Sequence, residues 1–402
     1  MKSLLVVFVS IAFTAFGQFD VNTYLSKSSN DIEIQALNAQ WDYIGETDFK
    51  SPFFREYEFR ARARGFESGF DDFRFRFSPL NPYERKANKQ YASVLDNQME
   101  SQSLVEYASV LEKRYKLLIK HIYFSEIIEL KQASAVYYKK LLDSKAKQGI
   151  SKDLIAIDRK LLALELNNDE FTTEILRVEN LIRSGYDFGG NISWENFSLV
   201  TIESIEEQLQ LNQQENVNTN YLVQNEINKM LLAESNYEIN RQESFSNIGY
   251  IQAEYRPYRG ETAAETLGMQ IAFQLPIVNP DRPDLERRKL RLLKDHSDIK
   301  AMEEEVKLDY FNFNNKLESG IKQYKRIQDK LSTLNKLDRI GLTDVETMIV
   351  LKEYKDDLNE LSFELYAQIL SNYIRVLQTN SRLSAAPYRN YLSETGDSFE
   401  IN

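Results

Sequence analysis

Between Tyr83 and Ala146 the chain contains neither proline nor glycine. A stretch of that length without a breaker predicts one continuous helix, on the order of 95 Å long. Such a rod outruns the diameter of a small domain and needs equally long neighbours to cover its side. The sequence supplies them. Leu154, Ile157, Leu161, Leu164, Phe171, Ile175, Val178 and Ile182 recur at alternating steps of three and four. That is a coiled-coil seam, with Asn168 in its one polar a-type position, where a buried amide could fix register. Two further helices are predicted from Asp284 to Asp338 and from Thr343 to Ser384, with Gly320 as the single glycine inside them. Thr343 and Glu346 form a capping box, and Ser151 is placed to cap the matching earlier helix.

The chain repeats itself. Phe75-Arg76-Phe77-Ser78-Pro79-Leu80-Asn81-Pro82 precedes a charged helical run, and Phe273-Gln274-Leu275-Pro276-Ile277-Val278-Asn279-Pro280 precedes another, 198 residues later. Gly149 and Gly341, each interrupting a long helical pattern, are 192 residues apart. Two landmarks at nearly one offset indicate an internal twofold repeat, each half reading helix, strand pair, long helix, tight turn, long helix.

The strand pairs have two unlike faces. Arginine takes every second place in Phe59-Arg60-Ala61-Arg62-Ala63-Arg64, and again in Phe73-Arg74-Phe75-Arg76-Phe77. In the second half Gly249, Ile251, Ala253 and Tyr255 alternate with Tyr250, Gln252, Glu254 and Arg256. Leu267, Met269, Ile271, Phe273 and Leu275 alternate with Gly268, Gln270, Ala272 and Gln274. A period of two sorts these residues onto opposite faces. One reading is a soluble hairpin with one solvated face. The other is a transmembrane barrel strand, apolar towards lipid and polar towards a lumen.

Export favours the second reading. Met1-Lys2-Ser3, the apolar run Leu4 to Phe16, and Ala15-Phe16-Gly17 form a signal peptide over residues 1–17, with Gln18 as the expected mature start. No later stretch approaches the twenty apolar residues of a spanning helix. Four strands cannot close a barrel, since single-chain barrels begin at eight, so the barrel must be shared in a cyclic oligomer. Three copies would supply about twelve strands.

These features together resemble the TolC family of outer-membrane efflux proteins, over nearly the whole mature chain. The residues that carry the resemblance are the strand running into a charged helix (Leu267 to Leu290), the tip followed by a long polar helix (Arg339 to Leu377), and the twofold repeat. The fold so implied is mostly α with transmembrane β: long antiparallel coiled-coil helices plus four strands per protomer, contributing to a shared twelve-stranded trimeric β-barrel. The first repeat is 18–204 and the second 205–402. Strand pairs at about 55–79 and 247–276 form the barrel, and the helices form a periplasmic tunnel. The resemblance implies a homotrimer in the outer membrane of a Gram-negative bacterium, in contact with outer-membrane lipid. It would meet a periplasmic adaptor directly and an inner-membrane pump indirectly, as the passive exit duct of a tripartite efflux or type I secretion system. It places Gly149, Ile150, Ser151, Gly341, Leu342 and Thr343 at adaptor-docking tips, although such glycines also serve as ordinary helix C-caps. Asp153, Asp344 and Glu346 become candidates for the periplasmic aperture, against the plainer reading of acids favoured in a helix's first turn.

On the barrel reading Arg60, Arg62, Arg64, Arg74, Arg76, Glu254 and Arg256 face the lumen. Apart from Glu58 and Glu254, the pore mouth would then be positive. A ring of arginines favours anions, and hence acidic cargo. The alternative is that these arginines pair with carboxylates on neighbouring strands, or simply solvate a polar lumen.

Other classes find less in the residues. The net charge of −11 leaves no basic excess for nucleic acid. Cysteine is absent, which excludes disulfides, thiolate metal sites and lipoprotein anchoring. His121 and His296 have no second histidine at ligand spacing, Trp41 and Trp194 read as packing residues at helix ends, and no catalytic motif is present. Neither a catalytic residue, a metal nor a cofactor is expected. The competing class is an exported periplasmic coiled-coil adaptor or scaffold without a barrel. It would carry one helical hairpin rather than two.

Overall fold

The computed structural model describes residues 19–46, 53–62, 72–147, 151–185, 192, 194, 197–211, 219–244, 248–256, 267–273, 282–337 and 345–400. The expected signal peptide therefore lies outside the described residues. The elements are α1 (Val21–Ser26), a 3-10 turn (Lys27–Asn30), α2 (Ile32–Glu46), β1 (Phe54–Arg62), β2 (Asp72–Pro79), α3 (Pro82–Ala146), α4 (Ser151–Ser184), α5 (Ile202–Leu211), α6 (Tyr221–Ser244), β3 (Ile248–Tyr255), β4 (Leu267–Phe273), α7 (Arg282–Leu337), α8 (Val345–Thr379), and the two-residue strands β5 (Tyr388–Arg389) and β6 (Ser398–Phe399). The breaker-free stretch is thus a single helix of 65 residues, opened by Pro82, where a missing N–H costs nothing.

The chain forms two compact units. They do not coincide with the two sequence halves, since each draws segments from both. The first comprises Met1–Gln35, Leu104–Asn220 and Glu305–Asn402. Its core stacks Leu111, Tyr115, Leu118 and Ile122 of α3 on Ile369, Tyr373, Val376 and Leu377 of α8. The four-three-four steps on α3 are the seam that a coiled coil requires. Val178 and Ile182 close the seam from α4, and Leu317 and Ile321 from α7. Gly320 lets α7 approach α8: a Cβ there would stand 3.1 Å from Ile369 Cγ1.

An irregular belt completes this unit. Val200 N–H donates to Leu392 O at 2.9 Å and Glu394 N–H to Ser198 O at 3.0 Å, so the segment before α5 is sewn to the C-terminal segment. The buried Tyr115 hydroxyl donates to Arg389 O at 2.9 Å. Arg114, also buried, donates to Tyr24 O, to Lys27 O at 2.9 Å and to Gly185 O at 3.3 Å. One guanidinium so satisfies carbonyls at the ends of α1 and α4, which would otherwise lack donors. Burial lowers the Arg114 pKa, and burial pushes Tyr24 up to about 12.

The second unit comprises Ala36–Ser103 and Tyr221–Glu304. It holds one antiparallel sheet in the order β1-β2-β3-β4, in which two hairpins distant in sequence join through β2 and β3. Arg55 ties the sheet to its helices, 2.7 Å from Glu84 and 3.5 Å from Glu243. Trp41 Nε1 donates to Asp96 at 3.1 Å. Among the described residues no helix is long and apolar enough to cross a membrane.

Candidate functional site

The pairing register of the sheet decides its faces. Tyr57 lies opposite Phe77, Phe59 opposite Phe75, and Ala61 opposite Phe73. Phe73 then meets Tyr255, Phe75 meets Ala253, and Phe77 meets Ile251. Ile251, Ala253 and Tyr255 meet Ile271, Met269 and Leu267. All of these share one face. Glu58, Arg60, Arg74, Arg76, Gln252, Glu254 and Gln270 share the other, through the pairs Glu58 with Arg76, Arg60 with Arg74, Arg74 with Glu254 and Arg76 with Gln252.

The apolar face is not covered as a soluble sheet's would be, although Phe73, Phe77 and Ile251 on it are half-buried and Arg60 and Gln270 on the polar face are also exposed. On the apolar face Met269 is 79% exposed, Phe59 66% and Leu267 62%, whereas Gln252 on the polar face is 4% exposed. Water would charge such a face about 25 cal/mol for each Å² of apolar surface left uncovered. Aromatic pairs run along it: Phe54 with Phe77 at 5.1 Å, Tyr57 with Phe75 at 6.3 Å and Phe59 with Phe73 at 6.2 Å between centroids.

The arginines on the polar face are partnered. Arg74 reaches Asp72 at 2.8 Å and Glu254 at 2.9 Å. Arg76 lies 3.4 Å from Glu58 and stacks its guanidinium 3.9 Å above the Tyr250 ring. Arg60 pairs with Glu58, and Arg256 reaches Glu254 at 2.6 Å. This is the carboxylate-paired alternative weighed from the sequence. Asp72, which the alternation alone did not single out, is a principal partner. Arg62, opposite Asp72 at the end of β1, is exposed, and Arg64 lies outside the described residues.

The other sequence candidates fall partly outside the described residues, as Gly149, Ile150, Gly341, Leu342, Thr343 and Asp344 all do. Ser151 is the first residue of α4 rather than the residue before it, and Asp153 lies in the same first turn. Glu346 is exposed in the first turn of α8. Among the described residues no group of three or more histidine, aspartate or glutamate side chains could hold a metal ion.

Sequence reasoning missed a polar cluster around His121. This residue is buried, accepts from Trp194 Nε1 at 2.8 Å, and lies 3.4 Å from Glu179, which also takes Arg183 at 3.1 Å. Trp194 is therefore a hydrogen-bond donor as well as a packing residue. A second cluster joins α3 to α8: Ser134 donates to Asp356 at 2.8 Å, and Lys352 donates to Ser134 at 3.0 Å.

No family model and no curated protein matches the chain in sequence. Solved structures do match. The MtrE outer membrane channel of Neisseria gonorrhoeae aligns with a TM-score of 0.66 at 8% identity, over 95% of this chain and 90% of that one. VceC, an outer membrane protein of Vibrio cholerae, gives 0.64 at 9% identity over 90% and 95%. CusC, which forms a transmembrane channel, gives 0.64 at 10% identity over 90% and 92%. This chain has the TolC fold. At such identities the likeness is one of fold, reached by a different set of side chains. The largely exposed apolar face of the sheet is a property of this chain itself, and the TolC fold supplies the architecture in which a sheet of that kind has a place.

Proposed function

We propose that the protein is an outer-membrane channel, the passive exit duct of a tripartite efflux or type I secretion system. The observation that carries this reading is the sheet. Its apolar face is largely exposed, Gln252 and Asp72 on its polar face are buried, and its two outer strands, β1 and β4, have no further partner among the described residues. An exposed apolar sheet with open edges is a liability in water and a working arrangement in lipid, where unpaired edges must close into a barrel. Three protomers contribute the twelve strands, and the helices line a periplasmic tunnel. The chain divides into a leader (1–17) and two structural repeats (18–204 and 205–402).

The same reading extends to partner contacts. The turns at Gly149-Ile150-Ser151 and Gly341-Leu342-Thr343 dock a periplasmic adaptor, and through it an inner-membrane pump. Asp153, Asp344 and Glu346 lie at the periplasmic aperture. The lumen is lined by Arg60, Arg62, Arg64, Arg74, Arg76 and Arg256 against Glu58, Asp72 and Glu254, so it retains a positive excess and passes anions somewhat better than cations. The protein performs no chemistry of its own, in keeping with structural neighbours that are channels.

Membrane fractionation and oligomer mass of the expressed mature chain in mild detergent test this. A detergent-dependent trimer in the outer membrane is the expected result. A detergent-free periplasmic monomer would sink the channel and restore the adaptor-like coiled coil.

A further inference from the structure

A notch of about 570 Å³ opens at the foot of the first hairpin, walled by Phe53, Phe54, Pro79 and Leu80. Leu80 N–H donates to Phe53 O at 3.1 Å, which closes the hairpin and fixes the two walls. The first turns of α3 line the rest with Arg85, Lys86 and Lys89. The guanidinium of Arg85 lies 3.8 Å over the Phe53 ring, and its buried Nε has no hydrogen-bond partner. A buried, unsatisfied donor on a cation is costly unless something else accepts from it. Lys86 and Lys89 are exposed, and among the described residues neither side chain makes an ion pair or hydrogen bond. Their acidic neighbour is already engaged, since Glu84 pairs with Arg55 at 2.7 Å.

The notch continues into the apolar face. Phe54 lies 5.1 Å from both the Tyr57 and the Phe77 rings, and Tyr57 lies 6.3 Å from Phe75. A ligand seated here therefore meets unsatisfied cationic donors at one end and an exposed aromatic stripe at the other. That is the chemistry of one amphiphile: a phosphodiester among the cations and a hydrocarbon chain along the rings. We infer that this notch binds an anionic phospholipid, headgroup on Arg85, Lys86 and Lys89, acyl chain over Phe54, Tyr57 and Phe75. The inference rests on the outer-membrane reading, under which this foot of the sheet faces the periplasm. At the positions offset by 198 from Arg85, Lys86 and Lys89 the second half has Pro283, Asp284 and Arg287, so it does not repeat this cluster of three cations.

Native mass spectrometry of the full chain in mild detergent tests it, with equimolar dioleoyl-phosphatidylglycerol and dioleoyl-phosphatidylcholine as probes. The wild type is expected to retain the glycerol lipid at least about fivefold over the choline lipid, a difference of roughly 1 kcal/mol. Lys86→Glu with Lys89→Glu, both at exposed positions, is expected to bring that ratio to about one while membrane recovery stays unchanged. Equal retention by the wild type, or a preference that survives the double substitution, overturns the site. So does loss of the glycerol-lipid adduct on adding millimolar inorganic phosphate alone, which would mark a free-phosphate site. Recovery of the wild type without detergent is a separate result, and refutes the membrane reading itself.

Discussion

His121 shows how much one buried ring can decide. An indole N–H can only donate, so the 2.8 Å bond from Trp194 makes Nδ1 an acceptor and leaves the imidazole proton on Nε2, facing Glu179. A second proton would break that bond and bury a cation. Burial is the main reason that the imidazole titrates below its ordinary 6.5, and Glu179 opposes it only in part. Glu179 is already served by Arg183 and does not need a histidine cation. The unfolded chain thus takes up a proton that the folded one refuses. Stability is full above the unfolded value and falls as pH drops through it towards the lower folded one. We expect the Tm of the full chain in detergent to decline between about pH 7 and pH 5, and His121→Gln to flatten that decline. Equal slopes in the two proteins would remove His121 as its source. Trp194→Phe removes the shorter contact at Nδ1, leaving only the Ser125 hydroxyl at 3.3 Å, and is expected to cost about 1 kcal/mol in chemical unfolding.

At the scale of elements, helix contacts in the first unit are set by two unlike devices. Where α7 meets α8, closeness is the requirement: a Cβ at Gly320 would stand 3.1 Å from Ile369, which is fully buried. Gly320→Val, with two more methyl groups than alanine to place, is expected to lower stability by about 1–3 kcal/mol despite valine's better helix propensity; unchanged unfolding would show that the helices part freely. Where α3 meets α8, polarity sets the register. Ser134 and Asp356 are buried, and Ser134→Ala would leave an Asp356 oxygen without a donor at about 1–3 kcal/mol. If Ser134→Ala instead unfolds at the wild-type denaturant concentration, that seam is held by its apolar neighbours. The seam predicted on α4 does pack inward, with Ile157, Val178 and Ile182 buried. Beside it Ile155, Leu162 and Leu166 form a second stripe that stays exposed, as do Val350, Tyr354 and Leu361 on α8. Seven- and four-residue steps on an uncovered face suit contact with another helix. Leu162→Glu with Leu166→Glu is expected to shift oligomer mass towards monomer while helix content by circular dichroism holds.

Over the whole molecule the sheet sets the environment. A soluble sheet hides its apolar face, whereas this one hides Gln252 and displays Met269, Phe59 and Leu267. The consequence can be measured with one substitution. Met269→Lys on a surface facing water would be nearly silent, but on a lipid-facing strand it costs about 2–4 kcal/mol at mid-membrane depth. We expect it to reduce recovery of the assembled protein from membranes, and Gln270→Lys on the opposite face to leave recovery unchanged. Equal recovery of the two would argue against a lipid-facing surface.

Periodicity determined much of this protein from sequence alone. The breaker-free run from Tyr83 to Ala146 specified a long helix, the three-four steps from Leu154 to Ile182 specified a seam, and alternate arginines in β1 and β2 specified two-faced strands. Each is a local repeat of the backbone, readable without knowing any distant contact. Periodicity could not say which face would be covered, because that depends on β2 of one half pairing with β3 of the other. Nor could it join Asp72 and Glu254 to Arg74, or His121 to Trp194 across 73 residues. Likewise, Phe53 reaches Arg85 only because a backbone bond to Leu80 folds the chain back. Those pairings depend on the meeting of remote segments, whose geometry is fixed by packing and register, and only the tertiary structure decided them.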